Sequence, residues 1–101
     1  MQLALKIATI TGGDVPVGCI IVKDGEIVAM GKNEREINND LSGHAEIVTL
    51  RAAAQKLGRW QLEGCEMYVT LEPCPMCAWA ILNARVSKLY FGAYDVEYGA
   101  L

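Results

Sequence analysis

The sequence predicts an α/β domain in which helices cover a mixed sheet, and three observations predict it. Val17 to Val22 and Ile27 to Met30 are apolar, β-branched runs joined by Asp24-Gly25, a strong two-residue hairpin signal. Ile47, Leu50, Ala54 and Leu57 then recur at helical spacing. Beyond them, Glu66 to Leu71 and Val86 to Gly92 read as strands on either side of a second helical stretch that opens at Cys74 or Pro75. A β-hairpin running on into β-α-β-α-β calls for a mixed central sheet with helices packed on it.

Composition narrows the class. At 101 residues and 52% hydrophobic, the chain can build one real core and not two, so residues 1–101 are expected to form a single domain. A net charge of −3 argues against a general nucleic-acid coat. It leaves room for a local basic surface from Lys32, Arg35, Arg51, Lys56 and Arg59. Four cysteines in so apolar a chain do not suggest a secreted disulfide scaffold. No run approaches the ~20 apolar residues of a membrane span. The start lacks the basic segment of a signal peptide. The expectation is a cytoplasmic protein with no membrane partner.

In order along the chain, Leu3, Ile7 and Ile10 predict a short helix over residues 1–10, ended by Gly12-Gly13-Asp14. The Val17–Val22 strand is buried, with Cys19 packed as a small core residue. Residues 31–43 are polar and read as either a plain surface loop or a substrate loop. Ser42 is a good cap for a helix running to Leu57, with Gly58 as its stop. Trp60 is expected to lid the core, with base stacking as the other reading. Cys65 opens the next strand as a structural residue. Glu72-Pro73 ends that strand, and Pro75 suits a first helical position. Ala78, Ile81 and Leu82 are expected to pack inward. No pattern emerges from residue 93 onward.

Two motifs carry chemistry: His44-Ala45-Glu46, with the only histidine, and Pro73-Cys74-Pro75-Met76-Cys77. A Cys-x-x-Cys pair alone reads more often as half of a structural zinc site than as a redox pair. A lone glutamate in a first helical turn is often no more than a partner for the helix dipole. Joined, the two motifs match a known signature of zinc-dependent nucleobase deaminases. His44, Cys74 and Cys77 would supply three zinc ligands and leave the fourth position open, as catalytic sites do. Such a site lowers the pKa of water towards ~7. Glu46, two residues from His44, would shuttle protons from water to the base and to the leaving amine.

Further segments resemble the cytidine-deaminase-like superfamily, and within it the bacterial tRNA-specific adenosine deaminases. They are Asp14-Val15-Pro16-Val17-Gly18, Gly31-x-Asn33, Leu57-Gly58-x-Trp60-x-Leu62-x-Gly64, Tyr68 to Ala78 and Gly92-Ala93-Tyr94-Asp95. The resemblance implies a three-layer α/β/α fold, a homodimer, and hydrolysis of adenosine to inosine at the wobble position of a tRNA anticodon. It implies that Asn33 hydrogen-bonds the base, that the backbone of Ala45 contacts it and that Val17 lines the pocket. Members of the family continue past the position of Leu101, so the expectation includes a missing C-terminal strand and helices. Trp79 stands where the family has a small residue, and Leu41-Ser42-Gly43 differs from its usual sequence. Two other functions fit the same residues. One is deamination of a free base, nucleoside or nucleotide. The other is a non-catalytic, zinc-stabilised interaction module.

Overall fold

The computed structural model describes Met1, Ala4 and residues 17–35 and 39–93. Four strands form one sheet: β1 (Gly18–Lys23), β2 (Glu26–Lys32), β3 (Cys65–Val69) and β4 (Lys88–Phe91). Two helices, α1 (Ala45–Leu57) and α2 (Pro75–Asn83), complete the described elements. The strand order is β2-β1-β3-β4, with β1 antiparallel to both neighbours and β4 parallel to β3. The mixed sheet expected from the sequence is therefore present. The expected helix over residues 1–10 lies outside the described residues except for Ala4, which is helical and fully buried.

The hairpin forms as Asp24-Gly25 dictates. Both residues have positive φ, +51° and +80°, which matches the twist of the strands they join. Alternation then sorts the sheet's two faces. Cys19, Ile21, Met67 and Val69 share one core with Ala45, Leu50, Ala53 and Ile81, so both helices pack on that face.

The Ile47–Leu50–Ala54–Leu57 stripe marks only part of the inward face of α1: Leu50 is buried and Ile47 and Leu57 pack against the core. The buried residues of α1 are Ala45, Glu46, Thr49, Leu50 and Ala53. Small side chains win this position because α1 lies very close to β2. A Cβ on Gly31 would sit 2.6 Å from Thr49 Oγ1 and 3.1 Å from Val48 Cγ1. Ile47, Leu50 and Ala54 also border α2 across an open groove of about 600 Å³ that Trp60, Leu62 and Leu82 line as well.

Three other expectations are corrected. Ser42 does not cap α1, because its N–H and hydroxyl both bond Asp40 Oδ1, at 2.9 and 2.8 Å; the cap position belongs to His44. Trp60 is 57% exposed, with the Arg85 guanidinium 5.2 Å from its ring centroid, and Leu62 is the buried residue of that segment. Leu82 is 65% exposed rather than inward, since Cys77 and Ile81 define the buried face of α2. Gly58 does stop α1, at φ +69°.

Replacing Gly31 with alanine should destabilise the protein by about 1–3 kcal/mol, as overpacking does. Chemical denaturation of the zinc-loaded protein measures this, and an unchanged midpoint would mean that the helix can lift off β2 without cost.

Candidate metal centre

β2 and β3 run parallel, each antiparallel to β1, and each is followed by a helix. The N-termini of α1 and α2 thus meet beyond the carboxyl ends of these strands, the usual crevice of α/β proteins. After β3, the chain stays tied to β1 through Thr70, whose N–H donates to Gly18 O and whose Oγ1 accepts from the Gly18 N–H. Buried Pro73 delivers Cys74 to the cap position of α2, in extended geometry, with Pro75 opening the helix. Cys77 follows one turn later, so both sulfurs face one way.

His44 reaches the same point from α1. It is the cap residue of that helix, yet its side chain makes no capping bond. The imidazole is turned to Cys74, with Nδ1 3.6 Å from Sγ. Ligand atoms of His44, Cys74 and Cys77 all lie within 4.8 Å of one another. A tetrahedral zinc with Zn–S of about 2.3 Å and Zn–N of about 2.05 Å holds sulfur and nitrogen about 3.6 Å apart. The observed spacing fits. Buried Cys19 and Cys65 are not part of the group, so among the described residues three protein ligands gather and not four.

The electrostatics of these side chains point the same way. Burial pushes the Cys77 thiol far up, with the neighbouring Glu46 and Cys74 adding to it. Burial, together with Arg35, holds His44 below its ordinary value, so the imidazole stays neutral and ready to ligate. Glu46 is only 4% exposed. Burial raises its carboxyl pKa, against hydrogen bonds from its own backbone N–H and from Cys77. The carboxylate thus sits beside a ligand without belonging to the ligand set.

The remaining predicted residues surround this turn. Asn33 is 8% exposed and its Oδ1 accepts the Ala45 N–H at 2.7 Å. Ala45 is fully buried, and its carbonyl accepts from Thr49 Oγ1 at 2.7 Å. Val17 is buried and accepts the Asn33 N–H at 3.3 Å. Thr49 was not singled out by the sequence; the signal was a hydroxyl four residues after Ala45 on the inward face of a helix.

The family model of the cytidine and deoxycytidylate deaminase zinc-binding region matches residues 1–93. The chain belongs to this family. It is 48% identical over 87 residues to the tRNA-specific adenosine deaminase of Bacillus subtilis, covering 86% of this chain and 54% of that one. The chain therefore spans about half the length of that relative. A solved structure from work on A-to-I editing by tRNA:A34 deaminases at the wobble position of transfer RNA superposes with a TM-score of 0.96. It is 46% identical, covering 99% of this chain and 78% of the other. Guanine deaminase from Bacillus subtilis superposes with a TM-score of 0.89 at 40% identity, covering 92% of this chain and 61% of the other.

Two outcomes follow from this centre. Cys74→Ala should lose zinc and stability together, because metal binding is linked to folding, and metal analysis of the purified variant checks it. Zinc must also displace the proton that the raised Cys77 pKa keeps on the thiol. Affinity should therefore rise with pH by about tenfold per unit for that proton alone. Chelator competition across the neutral range tests this, and a flat profile would contradict it.

Proposed function

We propose that residues 1–101 are a zinc-dependent deaminase domain that converts adenosine to inosine at the wobble position of a tRNA anticodon. The observation that carries the deaminase reading is a buried carboxylate, Glu46, held against one member of a three-ligand metal group but outside it. A purely structural site has no use for that group. The tRNA substrate is supported by the relative and the solved structure that resemble this chain at 48% and 46% identity.

Zinc, when bound by His44, Cys74 and Cys77, would supply the Lewis acidity that makes water a nucleophile near neutral pH. Glu46 takes the proton that water loses on attack. It passes that proton to the ring nitrogen beside the reacting carbon, then takes the second proton from the hydroxyl newly formed on that carbon and gives it to the departing amine, so that the C–N bond breaks to leave a carbonyl and neutral ammonia. A carboxyl whose pKa is raised by burial suits both halves of this exchange. Asn33 and the backbone of Ala45 orient the base, and Val17 walls the pocket. An anticodon base is single-stranded, so lifting it out of its stack costs little.

The partner chain in this reading is a second copy, supported by exposed Met76, Trp79 and Leu82 along α2. The setting is the cytoplasm, where tRNA is met. Among the described residues no helix is long and apolar enough to cross a membrane.

The 40% identity to a guanine deaminase favours one second reading, a free purine as substrate. Incubating zinc-loaded protein with an anticodon stem-loop, and separately with guanine, adenosine and cytosine, separates the two. Inosine formed only in the RNA supports the proposal, and ammonia released from a free base replaces the substrate. Glu46→Ala should keep its zinc and lose about 10²- to 10⁴-fold in rate. Normal turnover by that variant would remove Glu46 from the mechanism.

A further inference from the structure

A helix N-terminus leaves its first amides without partners, and a side chain at the cap position normally accepts one of them. In α1 that position belongs to His44, whose imidazole is committed to the metal group and makes no capping bond. The acceptor comes from another element. Asn33, at the end of β2 and twelve positions earlier in the chain, receives the Ala45 N–H on Oδ1 at 2.7 Å. Donor and acceptor are both buried, so water does not compete for the bond.

The next peptide is held as well. Thr49 Oγ1 donates to Ala45 O at 2.7 Å, and the Thr49 hydroxyl is packed against Gly31 of β2. Only two peptide groups separate the ligand His44 from Glu46. One carries the Ala45 N–H and the other carries the Ala45 carbonyl, and each is tethered by a buried side chain. Asn33 is itself anchored, its N–H donating to Val17 O at 3.3 Å.

We propose that Asn33 is a positioning residue for the metal centre: its side-chain carbonyl caps α1 from β2 and sets the turn that carries His44 and Glu46. This role is separate from the contact with a base proposed above. The carbonyl half of the amide serves the helix, whatever the amide's nitrogen does for a substrate. The residue that reads the base and the residue that aims the metal ligand are then one residue. A base that displaces Asn33 would disturb the metal turn directly.

Asn33→Asp and Asn33→Ala separate the two roles in the full chain. Asp keeps the acceptor oxygen and loses the amide donor, whereas Ala loses both. Zinc affinity by chelator competition, and the absorption bands of the cobalt-substituted protein, report the metal turn without any substrate. Asn33→Ala should weaken zinc by about 10- to 100-fold, as loss of outer-shell partners does, and shift the cobalt bands. Asn33→Asp should keep the wild-type bands while KM for the substrate rises. The bands matter because added negative charge alone strengthens metal binding without restoring the ligand geometry. Wild-type bands and affinity in Asn33→Ala would overturn the proposal, as would an equal disturbance in both variants. Should Asn33→Ala not fold, Asn33→Asp alone decides, since altered bands in a variant that retains the acceptor contradict a cap. The KM arm rests on the base-reading role and the metal arm does not, so the two fail separately.

Discussion

The structure depends on bringing three ligand atoms from two helix starts into one coordination sphere. His44 Nδ1 and Cys74 Sγ lie 3.6 Å apart, which is close to a tetrahedral edge around zinc. Without metal this convergence is unfavourable. Burial keeps the Cys77 thiol protonated and raises the Glu46 carboxyl, because charge is disfavoured there. A divalent cation reverses both effects, so binding and folding are linked at this point.

The fold supplies the precision. β2 and β3 run parallel, separated by β1, and each hands its chain to a helix whose N-terminus faces the other. Proximity of α1 to the sheet is fixed by absence of bulk: glycine at 31, alanine at 45 and 53, threonine at 49. At this distance the Asn33 and Thr49 side chains can reach the α1 backbone. Packing and polar tethering therefore act on the same turn, and a change in either moves His44 and Glu46 together.

Much of this was legible in the residues. Asp24-Gly25 fixed the hairpin, Gly58 the end of α1 and Pro75 the start of α2, because each signal is local. The pairing of His44 with Cys74 and Cys77 followed from ligand chemistry, which few other arrangements satisfy. Tertiary detail was less legible. Trp60 and Leu82 read as core by hydropathy, but Leu62 takes the buried place in the connection that holds Trp60, and α2 buries Cys77 and Ile81 so that Leu82 turns outward. The α1 stripe was incomplete for a related reason: the tightest contact in the sheet–helix layer selects small residues, so Ala45, Thr49 and Ala53 join Leu50 on the inner face. Ser42 was a good cap by type, but its N–H and hydroxyl go to Asp40, two residues away, and His44 holds the cap position. The trans cap by Asn33 could not be read at all, since a bond between residues twelve apart has no local signature.

Zinc-edge X-ray absorption on the purified protein tests the metal centre most directly. The geometry predicts one zinc per chain with two sulfurs at about 2.3 Å, one imidazole nitrogen at about 2.0 Å and one further light atom from outside the protein. Three or four sulfurs would mean that Cys19 or Cys65 joins the site and closes it, and would contradict a catalytic centre. Absence of zinc would contradict it outright.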